Sequence, residues 1–133
     1  VVVSACLYWI REPECRIPAG GTYWSFELAK TLPEQTRWLM WRTSLCKNCG
    51  MIFVFDTPGA QGFWMKNTRM PLDIYFYDSE GVLVDRAINM RPESEITPPM
   101  QYVSQKLVQY VVEVEQGSGF YARKLDFRNC NLR

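Results

Sequence analysis

The chain has 133 residues, 47% hydrophobic and 14% aromatic, enough for one domain with a sizeable apolar core. Fifteen basic and fourteen acidic residues leave a formal charge of +1, with no basic stripe, which argues against a nucleic-acid partner. Histidine is absent, so Ser-His-Asp and Cys-His nucleophiles and imidazole metal sites are excluded, and any catalysis would fall to carboxylate, lysine, tyrosine or thiol.

The first residues, Val1-Val2-Val3-Ser4-Ala5-Cys6, form an apolar stretch that ends in small residues just before a cysteine. That form matches the tail of a bacterial lipoprotein signal, in which the cysteine is lipidated. The plainer reading is an ordinary strand. Cys6 is thus a candidate membrane tether, and an extracytoplasmic or cell-envelope location is expected. The five cysteines suit an oxidising compartment. No stretch reaches the length of a membrane-spanning helix. Pro13, Pro18, Gly20 and Gly21 break the next segment. Residues 1–19 therefore read as an N-terminal extension, and residues 20–133 as a single β domain.

Tyr23-Trp24-Ser25-Phe26-Glu27-Leu28-Ala29 alternates as a first strand. Thr31-Leu32-Pro33-Glu34 has the form of a capping box and predicts one short helix over about residues 32–41. Met51-Ile52-Phe53-Val54-Phe55 is short and rich in β-branched and aromatic residues, the pattern of a strand buried on both faces. Thr57-Pro58-Gly59 is expected to end it. Strand character resumes at Leu72-Asp73-Ile74-Tyr75-Phe76-Tyr77 and returns, after a turn at Gly81, through residues 82–88. A proline-rich loop follows, then short strands near Tyr102 and over residues 107–114. One helix among six or seven strands predicts a mainly β fold, an antiparallel β-sandwich or partly closed barrel.

Several strings, in order and spacing, resemble the bacterial and archaeal domain-of-unknown-function family 192. They are Arg37-Trp38-Leu39-Met40-Trp41-Arg42, Gly50-Met51-Ile52-Phe53-Val54-Phe55, Phe63-Trp64-Met65-Lys66-Asn67-Thr68, Leu72-Asp73-Ile74 with Phe76, and Val112-Glu113 before Gly117. The likeness covers roughly residues 23–119. It implies a small β-sandwich with a short helix, often carried behind a secretion or lipoprotein signal, and no settled activity. Three features depart from the family pattern: Trp38 where glycine is usual, a Cys46-Lys47-Asn48-Cys49 loop that is usually polar, and an atypical C-terminal tail from about residue 120.

Within five residues, Trp64, Lys66, Asn67 and Thr68 offer a broad ring, an ammonium, an amide and a hydroxyl. A ring supplies contact area and the polar groups fix orientation, so these four form a candidate ligand-binding group. The plainer reading lets Asn67 and Thr68 cap a turn while Lys66 lies along apolar surface. Asp73 should point away from Leu72 and Ile74. If covered, it needs a cation such as Lys66, Arg42 or Arg37, which adds Asp73 and Arg42 to the ligand-binding candidates. Asp73 and Glu113 are weak catalytic candidates as an acid/base pair.

Cys46 and Cys49 read as a disulfide, as free thiols or as half a metal site. Their place after the helix and before a strand is the reverse of the thioredoxin arrangement. With an odd number of cysteines, Cys6 is the natural one left over. Five tryptophans are too many to bury completely, and Trp38 and Trp41, three apart on the expected helix, make a second contact patch.

These readings converge on a non-catalytic extracytoplasmic binding or assembly module for a polar small molecule, a glycan or a protein partner, with no cofactor and no metal expected. The alternatives are a small carboxylate-based hydrolase or lyase, and an interaction subunit of a larger complex.

Overall fold

The computed structural model describes residues 14–37 and 39–132. The expectations that concern Cys6 and its surroundings and Trp38 lie outside them. The segment read as an extension enters the sheet at once. In β1 (Cys15–Ala19), Cys15, Ile17 and Ala19 are buried while Arg16 and Pro18 face out. Gly20 and Gly21 both take positive φ, 62° and 79°, the two-residue turn whose twist suits a right-handed hairpin. The chain reverses there into β2 (Thr22–Ala29), with Ala19 opposite Thr22.

The capping box then starts α1 (Leu32–Arg37). The Glu34 amide donates to Thr31 Oγ1 at 3.4 Å, and Glu34 Oε1 accepts from the Thr31 amide at 3.0 Å. The helix stops short of the predicted residue 41 for a tertiary reason. Trp41 has a φ of 70° and its amide donates to the Asn67 carbonyl at 2.8 Å, so this part of the chain is held by a distant turn and not by its own helix. Trp41 therefore lies off the helix on which it was expected. Trp41 is instead 58% exposed, with the Arg69 guanidinium 5.1 Å from its ring centre.

Because α1 and the loop after it bring the chain back in the same direction, β3 (Cys49–Gly59) pairs parallel with β2. The sheet is thus mixed, not wholly antiparallel. Thr57-Pro58-Gly59 bends β3 instead of ending it: the register with β8 shifts between Val54 and Gly59 and pairing resumes at Gly59. The remaining strands are β4 (Gly62–Trp64), β5 (Leu72–Tyr77), β6 (Leu83–Met90), β7 (Gln101–Val103), β8 (Val108–Glu115) and β9 (Asn129–Cys130). Of the nine strands among the described residues, seven form one sheet in the order β6-β5-β8-β3-β2-β1-β9, and β4 pairs with β7 in a small second sheet. Among the described residues the fold is mainly β with one short helix, and its sheet is open, ending at β6 and β9.

Both faces of the sheet are covered, as the apolar run in β3 requires. On one face Trp24, Phe26 and Tyr75 surround Phe120 of the C-terminal tail, with ring centres 5.2, 5.6 and 5.5 Å from it. The Tyr77 hydroxyl donates to the Ala122 carbonyl at 2.7 Å, and burial pushes its pKa far up. The atypical tail is therefore part of the core. On the other face the small sheet lays Phe63 against Phe53 and Phe76, at 5.1 and 5.8 Å. Asp85 of β6 fixes this lid by accepting from the Tyr102 hydroxyl and the Gln105 amide, each at 2.9 Å.

A disulfide between Cys15 and Cys130 joins β1 to β9 across 115 residues of sequence. Closing so long a loop restricts the unfolded chain strongly, so Cys130→Ser should lower unfolding free energy by about 2–5 kcal/mol. Denaturant titration of the oxidised wild type and of the variant measures this. Identical midpoints would show that the bond contributes nothing.

Candidate functional site

The Trp-Met-Lys-Asn-Thr string lies in the turn that leaves β4. Met65 is buried, and its amide donates to the Met100 carbonyl at 2.9 Å. Asn67 takes the left-handed conformation, with a φ of 59°, which asparagine tolerates better than most residues. Its amide donates to Glu93 Oε2 at 2.7 Å, while its carbonyl accepts from Trp41. Asn67 thus shapes the turn, as its plainer reading had it. Thr68 is buried and its hydroxyl donates to the Lys66 carbonyl at 3.4 Å.

With the turn fixed in this way, the alternate residues point outward. Trp64 is 51% exposed and the Lys66 ammonium sits 5.2 Å from its ring centre. Beneath them is a cavity of about 300 Å³, at the small end of the range for ligand pockets. Trp64, Lys66 and Thr68 line it together with Phe53 of β3, Gln35 of α1 and Glu113 of β8. Three of the ligand-binding candidates are therefore brought together, and Asn67 supports them from behind.

Asp73 and Arg42 lie elsewhere. Strand register decides the first case. Ile74 is opposite Glu113, and Asp73 is opposite Val114. Partners in an antiparallel ladder share a face and neighbours along a strand do not. Asp73 and Glu113 therefore point to opposite faces of one sheet, and the expected acid/base pair does not exist. Asp73 accepts from the Asn89 amide at 2.7 Å and the Gly117 amide at 3.2 Å. It clamps the irregular end of β6 and the turn after β8, and makes no ion pair with Lys66 or Arg42. Arg42 instead pairs with buried Glu27 at 3.0 Å, tying the segment after α1 to β2.

Glu113 is the residue whose position the sequence did not reveal. It is 6% exposed and lines the cavity wall. Its neighbours across the ladder on that face are Met51 and Ile74, both apolar. Among the described residues none hydrogen-bonds its carboxyl, and burial alone raises its pKa from 4.5 to about 8. The group is therefore protonated at neutral pH, an O–H donor facing a largely aromatic space. Gly50 allows the strands to approach here: a Cβ on it would meet the Glu113 carbonyl oxygen at 2.5 Å and the Phe26 ring at 2.7 Å. The only advance sign was one glutamate among valines in a strand. The rings of Phe53 and Phe55, also in the lining, carried no sign beyond apolar patterning, and Gln61 carried none.

Cys46 and Cys49 form a disulfide, and among the described residues no cluster of His, Cys, Asp or Glu could hold a metal ion. No helix among them is long and apolar enough to cross a membrane.

An open mixed sheet with a small lid over one face and a tail over the other defines the structural class. The family model for domain-of-unknown-function family 192, described as an uncharacterised ACR, matches residues 16–125, and the chain belongs to that family. Two solved structures are similar to it. A Sinorhizobium meliloti protein provisionally called a transcription regulator is 28% identical with a TM-score of 0.73, over 86% of this chain and 92% of that one. A Novosphingobium aromaticivorans protein of unknown function is 28% identical with a TM-score of 0.71, over 84% and 82%. No curated protein matches the chain.

Two predictions follow the carboxylates. Asp73→Ala removes the acceptor shared by two part-buried backbone amides, Asn89 and Gly117, and should cost about 1–3 kcal/mol in denaturant unfolding. For Glu113, folded and unfolded chains are both protonated below about pH 4.5, whereas from there to about pH 8 only the folded chain keeps the proton. Wild-type stability should therefore fall as pH rises through that window, by a few kcal/mol and at most about 5. Glu113→Gln should remove that part of the fall, so that the variant gains on the wild type as pH rises from 4.5 to 9. Parallel stability profiles would contradict this.

Proposed function

We propose that the domain is a non-catalytic binding module of an extracytoplasmic or envelope protein, and that the cavity under Trp64 and Lys66 engages a polar small molecule, a glycan or a segment of a partner. One observation carries this reading: an exposed ring, an ammonium and a buried carboxyl without a hydrogen-bonding partner among the described residues line one open cavity. A buried polar group without a partner destabilises the protein that holds it, which is understandable where a ligand supplies that partner. The two disulfides favour an oxidising compartment.

The carboxylate-based hydrolase has less support, since its two acids lie on opposite faces. A regulator role, the provisional description of the Sinorhizobium meliloti protein, draws no support from a net charge of +1.

A thermal-shift screen of envelope sugars, short peptides and small polar metabolites tests the proposal. Ligands that raise the wild-type midpoint should lose most of that effect in Trp64→Ala and in Lys66→Ala. They should keep it in Tyr121→Ala, whose ring is exposed elsewhere. Equal stabilisation of all four proteins by every hit would refute the site.

A further inference from the structure

The chemistry of the lining narrows the ligand class. Several polar groups around the cavity are already engaged within the protein. Gln35 Nε2 donates to the Ala29 and Val54 carbonyls at 3.2 and 2.9 Å, and the Thr36 hydroxyl donates to the Leu32 carbonyl at 2.8 Å. The Thr68 hydroxyl is turned to Lys66 O. Beside the uncharged Gln61 side-chain amide, this leaves the Lys66 ammonium, set against the Trp64 ring, and the Glu113 carboxyl. Among the described lining residues these two are the only titratable groups. Met51, Ile74 and Phe53 beside Glu113 are apolar, and the next residue of the row beyond Met51 on that face is buried Glu27, which is ion-paired with Arg42 at 3.0 Å and lies outside the lining.

An ionised Glu113 would be a buried charge with no partner there, so the group stays neutral and presents an O–H. The cavity then holds one positive charge at its exposed side, a neutral hydrogen-bond donor in its wall, and aromatic rings between. A cation is repelled by Lys66 and finds no anion. An organic acid meets the ammonium with its charge, the rings with its apolar body, and the Glu113 O–H with an acceptor oxygen.

Resting on the binding-module reading, we propose that the cavity takes a small amphipathic organic acid, its anionic group paired with Lys66 and a carbonyl or similar acceptor received by Glu113. Charge-assisted and neutral hydrogen bonds divide the recognition. The first selects acids over amides and amines, and the second selects an oxo acid over its deoxy analogue.

The test uses matched probes on an aryl and an alkyl skeleton: 4-acetylbenzoate and 5-oxohexanoate, their carboxamides, their amine counterparts, and the 4-ethylbenzoate and hexanoate analogues lacking the ketone. Binding is read by calorimetry and tryptophan fluorescence. The oxo acids should bind about tenfold or more tightly than the amides, amines or deoxy acids. Lys66→Met should erase the preference for acid over amide. Glu113→Leu should erase the preference for oxo over deoxy acid, while Glu113→Gln, still a donor, should retain it.

Wild-type affinity for the oxo acids should weaken between about pH 6.5 and pH 9 as Glu113 ionises, and affinity of Glu113→Gln should not. Tighter binding of the amines or amides on both skeletons would overturn the inference and leave the binding module standing. Oxo-acid binding unchanged in both Lys66→Met and Glu113→Leu would overturn it as well. No saturable binding of any probe, together with no hit in the wider thermal-shift screen, would overturn both readings.

Discussion

Strand β3 lies between a parallel neighbour, β2, and an antiparallel one, β8, and both its faces are packed. That pairing is the constraint on which the remainder depends. It is possible because Gly50 has no Cβ where the Glu113 carbonyl and the Phe26 ring come close. The register that follows sets Met51 opposite Glu113 and Phe53 opposite Val111. It therefore determines which side chains of β8 and, one strand further, of β5 look into each of the two layers.

The two layers have different uses. The C-terminal tail closes one face with Phe120, the Tyr77–Ala122 hydrogen bond and the disulfide to β1, so that side is a dry core. The lid of β4 and β7 closes the other face less completely. It is a short two-stranded sheet held by Asp85 and by ring contacts, and α1 borders it. The gap between lid, helix and sheet is the cavity. Glu113 on this face is 6% exposed at the cavity wall with no described hydrogen-bond partner, whereas Asp73, on the opposite face, has two amides. The same residue chemistry thus yields a structural clamp on one side and a perturbed acid on the other.

The turn after β4 shows how a string of polar residues divides its work. Asn67 takes positive φ and is bound to Glu93 and Trp41, and Thr68 faces inward. Lys66 and Trp64 are left pointing out over the cavity. The turn also ends α1 early, because the Trp41 amide is drawn to Asn67. A local signal in one segment was in this way overruled by a hydrogen bond from another.

Strands β2, β3, β5, β6, β7 and β8, the capping box and the group at Trp64 and Lys66 were legible in the sequence because they rest on local physics: alternation, side-chain to backbone capping, and turn chemistry. The family was legible for the same reason, through strings of contiguous residues. The partners of Asp73 and Glu113 were not, since a face is assigned only when strands pair. A shift of one residue in register would exchange the two environments. Strand β1 was hidden by Pro18, which an outward edge position accommodates, and β9 by its two-residue length. The sequence alone determined which residues carry chemistry and which segments extend. The tertiary structure decided which carboxyl meets backbone amides and which is left protonated in a cavity, because desolvation is a property of surroundings assembled from β3, β5, β8 and α1 and not of any one segment.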